Sequence, residues 1–365
     1  MSAVYVKAAG IQTEYFDELM TLDAVINRNQ ERVKSSESNI YKPLNRKLSK
    51  SEVAAIARED RSILNDLSTL ILNAIGDLLA HCPEGEVRNS EQTPLYAGTD
   101  GVSEYNFSAL YKIIEKHGGV SGALENLGEL SKMSNPINMM RFLSTNPLYH
   151  ASKRLELRGG GYPIRGMSLS GLQAFEDAFS DIKHGREKQG IVVGAGSMRN
   201  FDTLLVFDKL GLLSKDENER EIDPSFGAAT VCLSDDKDEA LAQVLAVDSR
   251  YNPSPFPSAR DWHALMESVQ QQGFDIDVIV TYCNGVKTNN ENELAAVRDV
   301  FPNIEQKNYK SVFGYTSKAN NLLDLSAALI DESIPDGATV LINGAGFGVG
   351  IGYIVVKKCK NIINK

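Results

Sequence analysis

The sequence has few of the residues from which disulfide frameworks, metal sites and membrane spans are built. Its four cysteines, Cys82, Cys232, Cys283 and Cys359, lie far apart and form no C-x-x-C pair. That excludes a disulfide framework and a zinc knuckle, and the thiols are expected to be reduced. No stretch approaches the roughly 18 uninterrupted apolar residues of a membrane helix. Residues 1–10 also lack a basic segment followed by an apolar run, so the expected location is the cytoplasm, with no membrane partner. Basic residues are outnumbered, 38 against 48 acidic, and a formal charge of −10 repels phosphate backbones, so nucleic acid is not an expected partner. The densest basic stretch, Arg46, Lys47 and Lys50, is followed by Glu52, Glu59 and Asp60 and reads as a solvated face. Cofactor motifs are missing too. Gly194-Ala195-Gly196 and the glycines of 344–352 do not fit G-x-G-x-x-G, and there is no phosphate loop and no H-E-x-x-H. No cofactor and no metal are therefore expected.

What is present is a chain of 365 residues, 42% apolar, long enough for one large domain or two fused half-domains. Its 29 glycines follow no short period and mark tight turns. Apolar periodicity predicts a strand over 4–11 and a helical run over 52–80 capped by Ser51. A strand over 95–98 and helices over 107–116 and 140–157 follow. Residues 164–167, 171–183 and 190–194 then read as strand, helix and strand, a βαβ unit of a parallel sheet. After an irregular region come strands at 228–233 and 242–247, a helix at 259–272, a strand at 276–282 and helices at 292–300 and 318–330. Two strands, 339–342 and 352–357, end the pattern. Two similar α/β halves are expected, 1–237 and 238–365, with the boundary near Lys237.

The segment Gly166-Met167-Ser168-Leu169-Ser170-Gly171 places small residues at a strand-to-helix turn, with Ser168 about where the helix begins. A helix N-terminus stabilises developing negative charge, so such a turn suits a nucleophile. It resembles the active-site turn of the β-ketoacyl synthases of the thiolase superfamily, with Ser168 at the position of the family's cysteine. Tyr282-Cys283-Asn284-Gly285-Val286-Lys287-Thr288 is similar to the family's histidine-glycine-threonine-glycine-threonine loop. There Asn284 takes the histidine position, Lys287 replaces the second glycine, and Glu293 stands near the acidic residue that follows. Lys310-Ser311-Val312-Phe313-Gly314-Tyr315 resembles the lysine-to-second-histidine segment, with Lys310 kept and Tyr315 in place of the histidine. Asn343-Gly344-Ala345-Gly346-Phe347-Gly348 resembles the C-terminal turn whose phenylalanine gates the acyl pocket. The ordered matches run from 166 to 348; the first 150 residues fit the family's layout loosely.

The resemblance implies an α/β, thiolase-like fold, two similar halves stacked as α-β-α-β-α layers, without an intact catalytic set. Condensation needs a thiolate to accept the acyl chain and two histidines to stabilise an enolate oxygen. A serine hydroxyl is a far weaker nucleophile without a base, and neither Asn284 nor Tyr315 is one, although both can donate hydrogen bonds in a decarboxylating pocket. None of His81, His117, His150, His184 and His263 falls at a matched position; structural or surface roles are expected for them. Blander roles stay open. Ser168 can be a helix cap, Asn284 a loop residue tolerating an unusual backbone angle, Tyr315 a pocket filler with a bonded hydroxyl, and Lys310 a surface or ion-paired lysine. Phe347, Met139, Met140 and Phe142 can be core, though in this family nearby residues reach the dimer interface and the acyl tunnel.

Chains that keep this fold but lose the cysteine and histidines resemble the chain-length factor of a type II polyketide synthase. That likeness implies an active ketosynthase as partner, in a heterodimer or heterotetramer, and acyl carrier protein through the complex. Better-known chain-length factors carry glutamine at the cysteine position, so Ser168 points to a divergent branch, of the anthraquinone or aryl-polyene kind. Two other readings are a serine-dependent acyltransferase or hydrolase acting through Ser168, and a homodimeric scaffold.

Overall fold

The computed structural model describes residues 1–28, 47–82, 87, 92–99, 108–126, 128, 140–141, 143–199, 201–213, 222–252, 254, 256–346 and 350–360. Met139, Phe142 and Phe347, named above as tunnel or gate candidates, lie outside the described residues. The strands are β1 (Val4–Thr13), β2 (Leu95–Gly98), β3 (Gly161–Ile164), β4 (Gln189–Ser197), β5 (Phe226–Ser234), β6 (Ala242–Tyr251), β7 (Val278–Val280), β8 (Glu305–Lys307), β9 (Thr339–Gly346) and β10 (Gly350–Lys358). They form one sheet in the order β3-β2-β4-β5-β1-β6-β10-β9-β7-β8. The last five strands, read from the far edge as 8-7-9-10-6, repeat the order 3-2-4-5-1 of the first five. The two sets join where β1 and β6 run antiparallel, pairing Val4 with Val244, Tyr5 with Gln243 and Val6 with Ala242.

Alternation along these strands builds the layers, because successive side chains point to opposite faces. Val192 of β4 faces a central cluster, while Ile191 and Val193 face an outer one with helices Asp66–Ala80 and Asn146–Leu155. Val278 and Val280 of β7 also face the centre, whereas Ile279 packs outward with helices Ala259–Gln270 and Lys287–Val300. β9 and β10 repeat the pattern: Val340, Ile342, Ile354 and Val356 inward, Leu341 and Val355 outward. Between the two halves of the sheet lie helices Ser170–Lys183 and Asn320–Ile330. Every residue of Asn320–Ile330 is buried, as a helix covered on all sides requires. The result is the expected α-β-α-β-α stack.

Several elements differ from the sequence expectation. The run at 52–80 is three helices, Lys50–Ala55, Arg58–Arg61 and Asp66–Ala80. The first is capped by Ser49 rather than Ser51, its hydroxyl accepting from the Glu52 N–H at 3.3 Å. The third starts afresh because the Asn65 side chain accepts from the Ser68 N–H at 2.7 Å, and Arg61 bonds the Ile56 carbonyl at the break. The helix expected over 140–157 spans Asn146–Leu155, with a proline in its first turn and Glu156 left-handed at its end. The irregular stretch after β4 contains the helix Phe201–Lys209. Among the described residues no helix is long and apolar enough to cross a membrane.

Candidate active site

Ser168 lies in a single 3-10 turn, Met167–Leu169, that runs directly into the central helix Ser170–Lys183. The turn is tight: Met167 has φ of 50°, and Ser170 closes it by accepting from the Gly166 N–H at 2.8 Å and donating to the Met167 carbonyl at 2.7 Å. Neither the 3-10 turn nor the helix start carries a side-chain cap, so the cap role considered for Ser168 is not the one it plays. Its Oγ points instead at other hydroxyls, 2.6 Å from the Tyr315 OH and 3.2 Å from Ser317 Oγ, and Ser168 is 3% exposed.

Two glycines allow this meeting. A Cβ at Gly171 would stand 2.4 Å from the Lys318 carbonyl oxygen, and one at Gly196 2.4 Å from that of Thr316. Only glycine lets the helix start and β4 touch the 316–318 backbone, which accounts physically for the Gly194-Ala195-Gly196 cluster. Tyr315 is clamped on its backbone as well: its N–H donates to the Asp223 carbonyl at 2.8 Å and its carbonyl accepts from the Ser225 N–H at 3.0 Å.

The loop after β7 supplies Tyr282 and Asn284. Glu293, fully buried on helix Lys287–Val300, accepts from the Tyr282 N–H at 2.6 Å, the Cys283 N–H at 2.8 Å and Asn343 Nδ2 at 2.8 Å. Burial pushes the Glu293 carboxyl up, and those three donors oppose the shift. Asn284 Oδ1 accepts from the Val286 N–H at 3.2 Å in a side-chain turn, and from Asn289 Nδ2 at 3.4 Å. The left-handed angle in this loop belongs to Gly285, with φ of 103°, and not to Asn284. The Tyr282 OH lies 2.6 Å from the Tyr315 OH, with the rings edge to face, and the Asn284 amide also acts on the Tyr315 phenol.

Ser168, Tyr315 and Asn284 thus converge, joined by Tyr282 and Ser317, which the sequence reading missed. Lys310 is set one layer back. Its Nζ bonds the Asp324 carboxylate at 2.5 Å and the Thr281 carbonyl at 3.2 Å, and lies 5.3 Å from the Tyr282 ring centre. Asp324 had a signal, a lone carboxylate within the apolar run 322–330; Tyr282 had none beyond its place two residues before Asn284. Met140 is 48% exposed and helps line a separate cavity of about 550 Å³ with Leu95, Leu143, Leu148, Tyr149 and Gly161.

Chemically the cluster is poor in bases. Burial raises the Tyr315 phenol, and burial together with Tyr315 raises Tyr282 well above the ordinary tyrosine range, so both stay protonated near neutral pH. The neighbouring Cys283 thiol is pushed up to about 12, first by burial and then by Glu293, and so supplies no thiolate. Ser168 lies at a helix start beside neutral hydroxyls that can donate hydrogen bonds but cannot take its proton.

No protein-family description and no curated protein matches the sequence. Solved structures do match over nearly the whole chain. The ishigamide ketosynthase/chain length factor aligns with a TM-score of 0.78 at 14% identity, over 98% of this chain and 99% of that one. A β-ketoacyl synthase from Burkholderia phymatum gives 0.76 at 14% identity, over 99% and 100%. The fold is that of the ketosynthases. A third structure of this kind, AntDE:AntF, a type II polyketide synthase acyl-carrier protein in complex with its ketosynthase bound to the hexaketide, gives 0.72 at 12% identity, over 98% and 100%. On this ketosynthase fold the Ser168 turn, the Asn284 loop and the Tyr315 segment come together around one buried point.

Proposed function

We propose that this chain is a catalytically degenerate ketosynthase-like subunit, a chain-length factor. It pairs with an active ketosynthase and shapes the polyketide tunnel in type II polyketide biosynthesis, in the divergent branch that includes the anthraquinone or aryl-polyene kind. The observation that carries this reading is the buried Ser168–Tyr315–Tyr282 hydroxyl cluster, in which a serine at the position read as the nucleophile's has only hydroxyls as hydrogen-bond neighbours. A serine-dependent acyltransferase needs a general base within hydrogen-bond reach of Ser168, and its neighbours there are phenols and the Ser317 hydroxyl.

Pairing is supported by the character of the sheet's two edge strands. β3 carries Gly161, Tyr162, Pro163 and Ile164, with no charge, and among the described residues pairs only with β2, in a parallel register. The opposite edge, β8, carries Glu305 and Lys307, charges of the kind that block strand addition. Tyr162 of β3 and the nearby Met140, Leu143 and Tyr149 are each more than 40% exposed, an apolar surface suited to a subunit contact. The partner is an active ketosynthase, in a heterodimer or heterotetramer, and carrier protein reaches this subunit through the complex. The chain divides near Lys237, in the connection between β5 and β6, into an N-terminal and a C-terminal ketosynthase-like half. The test is co-expression with an active type II ketosynthase, followed by size-exclusion chromatography. Co-elution is expected; a soluble homodimer that leaves the ketosynthase behind overturns the reading.

A further inference from the structure

We propose that Tyr315, braced by Tyr282, is a fixed plug that occupies the acyl-accepting space in front of Ser168 and shuts this reaction centre to thioesters. The inference rests on the same placement of Ser168 at the nucleophile position that underlies the proposed function, and it adds what physically closes the site.

The argument is geometric. A hydroxyl attacking a thioester needs the carbonyl carbon about 3–3.5 Å away along an open approach. The Tyr315 OH stands 2.6 Å from Ser168 Oγ, inside that distance, and Ser317 Oγ at 3.2 Å holds a second direction. Backing the plug, the Tyr282 OH bonds the Tyr315 OH at 2.6 Å, and the Tyr282 ring meets the Tyr315 ring edge to face at 6.0 Å between centres. Tyr282 itself is held from behind by Trp262, 6.4 Å between rings, and by the Lys310 ammonium. Ser168, Tyr282 and Tyr315 are each no more than 3% exposed.

The plug is anchored as well as placed. Tyr315 is tied through its N–H and carbonyl to Asp223 and Ser225, so swinging the ring aside means parting two backbone segments. Gly314 before it has φ of 76°, and a Cβ there would lie 2.6 Å from Ser225 Cβ, so the segment enters its seat by a path that only glycine permits. Thr316 after it donates from both its N–H and its hydroxyl to Asn320 Oδ1, at 3.0 and 2.9 Å, fixing the exit to the central helix. Burial keeps both phenols neutral, so ionisation does not draw either ring toward water near neutral pH.

A thiol reporter tests this in the full chain. Ser168→Cys, Ser168→Cys/Tyr315→Phe and Ser168→Cys/Tyr315→Ala are treated with iodoacetamide, and alkylation at position 168 is followed by peptide mass, with the exposed native Cys359 as reference in the same molecule. In the first two variants position 168 is expected to react about tenfold or more slowly than Cys359, since access limits a buried thiol. Tyr315→Ala is expected to bring the two rates close together. Phenylalanine keeps the ring, so continued protection separates a plug from a hydrogen-bond effect. The proposal is overturned if position 168 reacts as fast as Cys359 with Tyr315 in place, or if Tyr315→Ala leaves the rate slow while circular dichroism is unchanged. Should the alanine variant not fold, Tyr315→Leu replaces it with the same two outcomes. Co-elution with a ketosynthase is read separately, so an open site in a chain that still pairs overturns the plug and leaves the proposed function standing.

Discussion

Lys310 and Asp324 form a buried ion pair behind the hydroxyl cluster. Burial pushes the Asp324 carboxyl up to about 6, against the pull of Lys310, whose ammonium it bonds at 2.5 Å. Asp324 Oδ1 has no partner of its own among the described residues, so the lysine is its main source of compensation. Removing one member of a buried pair strands the other charge, which costs about 3–5 kcal/mol, whereas replacing both with apolar groups of similar volume is close to neutral. Lys310→Met is therefore expected to lower unfolding stability in urea by about that amount, and Lys310→Met/Asp324→Leu to recover most of it. Equal losses in the single and double variants would show that the pair does not act as a unit.

At the level of elements, helix Asp66–Ala80 is bound to the start of the chain through one carboxylate. Asp77 Oδ2 accepts from the Ile11 N–H at 2.8 Å and from the Leu19 N–H at 3.1 Å, joining β1 and the helix Leu19–Ile26 to the outer layer. Burial raises this carboxyl from 3.8 to about 7, with the two N–H donors and His81 opposing. A carboxyl whose folded pKa lies above its unfolded one binds more protons in the native state. Its contribution is thus full below the unfolded pKa and is lost as pH rises through the folded one. Stability is expected to fall between pH 4 and pH 7, by about 4 kcal/mol at the roughly 1.4 kcal/mol that each pH unit carries. A side-chain amide carries no charge at any pH, and its oxygen can accept from both backbone donors, so Asp77→Asn should flatten that part of the profile. Urea unfolding of both proteins across this range checks it; parallel profiles would assign the pH dependence elsewhere.

For the molecule as a whole, the proposed pairing predicts a contact along β3 rather than along β8. β8 is short and charged, while β3 borders the cavity lined by Met140, Leu143 and Tyr149. Leu143 is 47% exposed, so Leu143→Glu should change stability by no more than about 0.5 kcal/mol. In a complex formed along β3 the same change places a charge in a desolvated contact, and pairing should weaken by about tenfold or more. Sedimentation of the mixed subunits reads this directly. Unchanged association would move the interface away from β3.

Local pattern in the sequence was enough for most strands and helices, whereas the layered stack followed from the family resemblance. The unbroken apolar runs at 191–193, 278–280 and 340–342 mark strands covered on both faces, because a strand buried between two layers needs apolar groups on both sides. Ser168, Asn284, Tyr315 and Lys310 stood out as candidates through the family resemblance of their short segments, and the structure brings the first three together with Lys310 behind them. Periodicity failed over 52–80, where the helix breaks depend on side-chain caps and on a buried Glu52–Arg154 ion pair between residues 102 positions apart. The identity of the Ser168 neighbours was likewise a tertiary matter. Tyr315 reaches Ser168 across 147 residues and Tyr282 reaches Tyr315 across 33. Such contacts form only when the two halves of the sheet close on the central helices and glycines 171 and 196 let the backbones touch, so no local pattern encodes them. Residue order alone suffices to put Ser168 at a tight turn before a helix; the tyrosine hydroxyl 2.6 Å from it comes from the closing of the fold.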